Sequence, residues 1–373
     1  MIDFPASPTV GQVFISGAQS WTWDGAKWVA SGVYVGPPQF SNANRIINGD
    51  MMIDQRGVAS AGGGTASGYT VDRWRFYVTA NVLNKVQFSR LSASQGGDQQ
   101  ANGIGYALMG LTATAYAVVA ADNVGFMQII EADLLSDIAW GLPNAQSLTL
   151  SFMVNAGQAG TYGGAIRNAA NTRSYPFTYS VPNAGQWTKI AITIPGDTAG
   201  TWTLRGNAAG LNICFDLGSG STWLGPANAW SNGNYLGAIG QQGIVANLNN
   251  QLMFSSVKLE IGSIATPFNR KSPQESLADC QRYYHDPAFG AASPVAYQVT
   301  CYATAAGAIT TAMITLPTTM RATPTLVVSN QAYANSSAVG VVARSGQTVT
   351  TFLTASAAGL ATVGFNMTAS AEL

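Results

Sequence analysis

In TKIAITIP (188–195), Ile190, Ile192 and Ile194 stand at every second position. Side chains alternate faces along a strand, so this period turns all three the same way, whereas a helix of about 3.6 residues per turn would scatter them. The period recurs elsewhere. Leu148, Leu150, Phe152 and Val154 keep it in SLTLSFMV, and Leu211, Ile213, Phe215 and Leu217 keep it in GLNICFDLG. Val257, Leu259 and Ile261 keep it in SSVKLEIG. In YTVDRWRFYV, Trp74, Phe76 and Val78 share one face, with Arg73 and Arg75 on the other. Gly, Pro, Asn or Ser clusters bound each run. Such runs predict an all-β chain whose residues 41–270 form an antiparallel sandwich with one face of each sheet buried. By the same alternation, Cys214 falls on an outward face beside Asn212 and Asp216.

Charge is scarce. Only 9% of the 373 residues are charged, against a usual ~25%, and Ser, Thr, Asn, Gln and 41 glycines stand in their place. Seventeen basic residues balance seventeen acidic ones, so neither nucleic acid nor a membrane surface is an expected partner. MIDFPASPTV has no basic or apolar leader character, and YALMGLTATAYAVVAA (106–121) is too short to span a bilayer. A chain made in the cytoplasm, without membrane insertion, is the expectation.

The N-terminal stretch SGAQSWTWDGAKWVASG (16–32) carries Trp21, Trp23 and Trp28. A two-residue turn at Asp24-Gly25 would pair Trp21 with Trp28 and Trp23 with Ala26, putting the three indoles on one face. With Gln12–Ser16 as a third strand, about 35 residues are too few to bury that face by themselves. It packs on the next domain of its own chain or docks on another chain. The expectation is a docking unit at 1–40 that ends in the stiff VGPPQF linker (35–40).

One helix is legible. In KSPQESLADCQRYYHD, Ser272 is the N-cap, Pro273 takes the first position and Glu275 closes a capping box. Leu277, Cys280 and Tyr284 follow at i, i+3 and i+7 as one apolar stripe, which suits a neck at 271–288 in a threefold bundle. His285, the sole histidine, sits at the helix end, where the dipole favours an imidazolium. Short alternating strands then resume and predict a separate C-terminal β-sandwich over 289–373.

Titratable chemistry is thin. One histidine excludes a two-histidine metal site, and Cys214, Cys280 and Cys301 form no C-x-x-C pair, so no metal or cofactor is expected. Glu131, Asp133 and Asp137 in EADLLSD are the carboxylates that a depolymerase of the glycosidase type would use, although their spacing in sequence fixes nothing and a solvated face is the preferred reading. No nucleophile elbow, H-E-x-x-H or P-loop occurs. Sugar binding asks for less, since aromatic faces stack on pyranose C–H groups and neutral amides read hydroxyls. Trp223, Trp230 and Tyr235 in GSTWLGPANAWSNGNYLG are the candidate glycan contacts, or else they cap the sandwich core.

FPASPTVGQVFISGAQSWTWDGAKWV resembles the unit that opens many tail fibre proteins of bacteriophages. NRIINGDMMIDQRG, VKLEIGSIATPF and SLADCQRYY are similar to the carbohydrate-binding-like jelly roll and helical neck of such fibres, and LPTTMRATPTLVVSN looks like their C-terminal domain. The resemblance implies a non-enzymatic homotrimeric virion fibre. Its N-terminus would meet other virion proteins, and another part would meet a host-surface polysaccharide. A depolymerase tailspike, or a structural collar fibre without a receptor, are the alternatives.

Overall fold

The alternating runs form strands, and the bulk of them close one sandwich. The computed structural model describes residues 4–16, 19–33, 44–57, 67–93, 97–289 and 295–373. Backbone contacts divide the chain into two units, Met1–Ala43 and Asn44–Leu373. The linker VGPPQF falls outside the described residues.

The first unit is a three-stranded antiparallel sheet of β1 (Val13–Ser16), β2 (Gln19–Trp23) and β3 (Trp28–Val33). Its turn is wider than the sequence suggested. Trp23 lies opposite Trp28 and Trp21 opposite Ala30. Asp24 explains the difference, because its Oδ1 accepts the N–H groups of both Ala26 and Lys27 at 2.8 Å. The loop therefore closes on a side chain over Asp24–Lys27, with Gly25 at φ +103°. The register moves by two residues, so the three indoles still share a face. Phe14, opposite Trp21, joins them. Phe4 stacks on Trp28 at 5.3 Å and meets Trp21 edge-on at 5.4 Å. The tryptophans are half-buried, so part of their cover comes from their own unit.

The second unit opens with a jelly-roll sandwich. Its strands are β4 (Ser67–Val71), β5 (Trp74–Val78), β6 (Val86–Ser92), β7 (Tyr106–Thr112), β8 (Val124–Glu131), β9 (Leu148–Ala156), β10 (Gly160–Asn168), β11 (Arg173–Val181), β12 (Thr188–Ile194), β13 (Ala209–Asp216), the short β14 (Leu224–Gly225), β15 (Ser231–Asn232) and β16 (Gly237–Ala238), and β17 (Gln251–Ile261). A helical turn, α1 (Asp98–Ala101), precedes β7. One sheet runs β15-β11-β10-β13-β8-β5-β4 and the other β12-β9-β17-β7-β6, both antiparallel. Between them lie Trp74, Phe76, Phe126, Phe177, Ile213 and Phe215 from the first sheet, against Leu150, Phe152, Val154, Phe254 and Leu259 from the second. Ile190 and Ile192 are only partly buried, because β12 is an edge strand.

Two residues depart from the simple alternation. Cys214 is not exposed, because Trp223, Leu236 and the β14–β16 pair fold across the outer face of the seven-stranded sheet. Leu236 and Trp223 there pack on Tyr77, Met127 and Cys214. The strands beneath this roof are themselves closely packed. A Cβ on Gly125 would lie 2.3 Å from the Tyr77 hydroxyl and 2.5 Å from the Phe215 carbonyl oxygen. Arg73 occupies a tight turn at φ +70° and is buried.

The helix, α2 (Pro273–Gln281), carries the capping box, with the Ser272 N–H donating to Glu275 at 2.9 Å. It ends three residues before Tyr284, so the expected stripe does not run down one helix. Cys280 is fully buried, Leu277 is half-buried, and Tyr284 belongs to β18 (Tyr284–His285). Arg56 covers the Tyr284 ring at 3.8 Å. His285 is buried between Gln281 and Tyr297, each at 3.3 Å. Burial pushes its pKa below the usual value, so the neutral imidazole is favoured rather than the imidazolium expected of an exposed helix end.

Six further strands complete the unit: β19 (Tyr297–Ala303), β20 (Ile309–Thr315), β21 (Thr325–Ala334), β22 (Ser336–Ala343), β23 (Thr348–Ala355) and β24 (Gly359–Ser370). Strands β18, β19 and β21 pair with β24 in one sheet, and β20-β23-β22 form the other. A second core of Leu316, Leu353, Val363, Phe365 and Met367 lies between them.

This terminal sandwich is bonded to the jelly roll. Glu131 receives Arg282 at 3.0 and 2.5 Å and the Tyr283 hydroxyl at 2.6 Å. The Arg73 guanidinium lies 3.6 Å from the Tyr283 ring centre and pairs with Glu372. Arg56 reaches Glu372 at 2.9 Å, and Arg321 donates to the Asn207 carbonyl at 2.7 Å. Among the described residues no helix is long and apolar enough to cross a membrane.

Candidate functional site

The three aromatic residues expected to bind glycan belong to two different clusters. Trp223 is half-buried in the roof, and its Nε1–H donates to the Ala121 carbonyl at 2.9 Å. Trp230 sits at the edge of the seven-stranded sheet, 5.1 Å from Trp140, 5.5 Å from Trp202 and 5.2 Å from Tyr175. Its Nε1–H donates to Pro195 at 2.8 Å. The Tyr235 ring rests on the bare backbone of Gly225 and Gly233. Each indole N–H is engaged by a carbonyl, which fixes the orientation of both indole rings. Trp202 and Trp230 leave a half-exposed aromatic edge beside the bidentate Arg173–Asp197 pair (2.9 and 2.7 Å).

The acidic segment is dispersed by its bonds. Glu131 is held by Arg282 and Tyr283, Asp137 pairs with Arg45 at 2.7 Å, and Asp133 accepts the Gly206 N–H. Each carboxylate serves a different structural partner. No group of three His, Cys, Asp or Glu side chains suited to a metal occurs among the described residues.

The open concavity lies elsewhere, on the outer face of the five-stranded sheet. Ser151 and Met153 alternate outward from the core residues of β9, and Lys189 of β12 pairs opposite Met153. Strand β17 bulges between Ser255 and Lys258, with Ser256 at φ +53°. Over this floor stands a wall of residues 266–270. It is pinned from below by the buried Lys258, whose Nζ meets Glu260 at 3.0 Å, the Pro267 carbonyl at 3.2 Å and the Thr266 hydroxyl. Glu260 in turn accepts the Thr266 N–H at 2.8 Å and its hydroxyl at 2.6 Å. Burial raises the Glu260 pKa, but these bonds outweigh it and hold the carboxyl below its usual range.

The result is a cavity of about 440 Å³ lined by Phe268, Thr266, Ser151, Ser256, Lys189 and Arg270, with Asn102 and Gly103 opposite. A second cavity of about 360 Å³ continues it past Gly103 and Arg270 to Tyr106 and Ser92. Arg270 donates to the Gly103 carbonyl and so bridges the two walls. Neither cavity has a carboxylate in its lining. The groove is assembled from segments around 92–106, 151–153, 189, 256 and 266–270, and no local pattern in the sequence announces it.

No protein-family model matches the chain, and no curated protein matches it in sequence. Several solved structures are similar in backbone. The enzymatically active domain of tailspike protein 4 from bacteriophage CBA120 aligns at 10% identity and a TM-score of 0.30, over 59% of this chain and 21% of that one. A family 11 carbohydrate-binding module from Clostridium thermocellum, in complex with a mixed-linked tetrasaccharide, aligns at 16% identity and a TM-score of 0.25, over 52% and 92%. The CBM22-1–GH10 modules of xylanase 10B from Clostridium thermocellum, complexed with xylohexaose, align at 12% identity and a TM-score of 0.24, over 54% and 28%.

Proposed function

We propose that the chain is a non-enzymatic bacteriophage tail fibre that binds a host-surface glycan in the groove beside Phe268. The groove itself carries this reading. It joins an aromatic ring to neutral hydrogen-bonding groups (Asn102, Ser151, Ser256) on a floor of paired strands. Phe268 offers its face to the C–H side of a sugar ring, and the hydroxyls and amide bond the ring's hydroxyls. A rigid sheet holds these groups, so little ordering accompanies binding. The bonds that occupy Glu131, Asp133 and Asp137 support binding rather than hydrolysis.

The wider assignment draws on the resemblance of the sequence to tail fibres. In it, the N-terminal sheet with Trp21, Trp23 and Trp28 docks on the virion, three copies associate, and the glycan belongs to the host. Calorimetric titration with oligosaccharides released from host surface polysaccharide tests the binding. Saturable binding that Phe268→Ala weakens at least tenfold, with an unchanged melting temperature, is the expected result. Equal binding by the Phe268→Ala variant removes the groove from the proposal, and released reducing ends would favour the depolymerase alternative. Sedimentation of the full chain tests the trimer.

A further inference from the structure

We infer that the groove selects a sugar carrying an oxyanion, namely a carboxylate or an ester phosphate or sulfate, over a neutral one. This rests on the groove being the glycan site.

The observation is a pair of cations on one concavity whose lining holds no carboxylate. The whole chain is neutral, with only 9% of residues charged. Yet Lys189 and Arg270 both line one cavity that contains no carboxylate. Lys189 is exposed and has neither an ion pair nor a hydrogen-bond partner among the described residues. Arg270 gives one donor to the Gly103 carbonyl and meets no acid among the described residues. The other cations nearby are already matched. Lys258 beneath the wall is neutralised by Glu260, and Arg90 lies 3.5 Å from Asp54 and over the Tyr106 ring at 4.5 Å. Asp98 of α1 lies behind the lining, where its carboxylate accepts the Asn102 amide at 3.1 Å and the Trp187 N–H at 3.3 Å. The groove thus presents two uncompensated cations around a neutral, partly aromatic centre.

The geometry suits recognition of a substituent on a ring. Phe268 and the hydroxyls engage the pyranose, and the guanidinium fork and the ammonium meet an oxyanion at its rim. A guanidinium matches a carboxylate or phosphate through paired N–H donors, and such charge-assisted bonds are roughly twice as strong as neutral ones. Because both cations are exposed to solvent, their contribution is screened by salt.

The test uses the full chain and three probes of matched length: tetragalacturonate, galactotetraose, and galactotetraose bearing sulfate esters. The expected result is binding of at least one anionic probe about tenfold more tightly than the neutral one, with the preference lost in 0.5 M salt. Which anionic probe binds distinguishes carboxylate from ester oxyanion. Lys189→Gln should remove most of the preference, and Lys189→Arg should keep it. Neither touches the wall, so a loosened wall in Arg270→Gln does not obscure the outcome. Equal binding of neutral and anionic probes would overturn the inference and leave glycan binding intact. A preference that survives Lys189→Gln combined with Arg270→Gln would overturn it too. Binding of none of the probes, together with none of the host oligosaccharides, would overturn both.

Discussion

The two sheets of the jelly roll are built from the same alternation, yet their outer faces meet different fates. On the seven-stranded sheet, the loop carrying Trp223 and Leu236 and the segment after α2 lie across the strands, so that Cys214, Glu131 and Arg73 are buried at positions that point away from the core. On the five-stranded sheet, Ser151, Met153 and Lys189 hold equivalent outward positions and line an open groove. Alternation decides which side of a sheet a residue occupies. Whether that side meets water depends on where distant loops come to rest. The roofed sheet buries its outward side chains, and the other sheet leaves its own along a groove.

The sharpest way to break this contrast is to mutate one aromatic residue on each face. Tyr283 is fully buried against Glu131 and Arg73, so Tyr283→Ala should destabilise the unit by about 3–5 kcal/mol in denaturant unfolding. Phe268→Ala on the open face should cost under about 1 kcal/mol. Equal losses would mean that both faces are structural.

A smaller effect should appear with pH at the covered end. Burial raises the Asp72 pKa from 3.8 to about 6, against the pull of Arg56. The folded state therefore holds this proton where the unfolded chain has released it. Its stabilisation is complete below about pH 4 and is lost as pH rises through about 6, amounting to about 2–3 kcal/mol. Asp72→Asn should flatten that part of the stability curve, and an unchanged slope would locate the titration elsewhere.

Next in size is Gly125→Ala, whose new Cβ meets the Tyr77 hydroxyl and the Phe215 carbonyl. Overpacking of this kind typically costs about 1–3 kcal/mol. Lys189→Ala on the open face should shift stability by no more than about 0.5 kcal/mol while altering binding. A large destabilisation by Lys189→Ala would show that the groove floor is part of the core.

Much of the fold could be read before any coordinates. The runs at 148–154 and 211–217 became core strands because their period reports which side is buried, and Ser272 with Glu275 set the start of α2. The misses have physical causes. Asp24 captured two N–H groups with its side chain, and that widened a turn which dipeptide preference alone would close in two residues. Tyr283, rather than Tyr284, took the buried place because the chain leaves the helix at Gln281 and resumes as a strand. Trp223 and Trp230, which stood out by composition, are held in two separate clusters with each indole N–H on a carbonyl, a separation that the sequence does not show. The groove went unseen because Lys189, Ser256 and Arg270 are unremarkable residues until the sheet brings them together.

The bonds between the jelly roll and the terminal sandwich bear on how the molecule would respond to force. Tension applied at the terminal sheets need not pass along a single strand of backbone. It is shared among the Glu131–Arg282 fork, the Tyr283 hydroxyl, the Glu372 contacts of Arg56 and Arg73, and the Arg321–Asn207 bond. Anchors loaded in parallel must yield together, so the joint resists a pull more stiffly than any one of them. A body built this way transmits a tug at one sandwich to the other as a displacement, with little slack between.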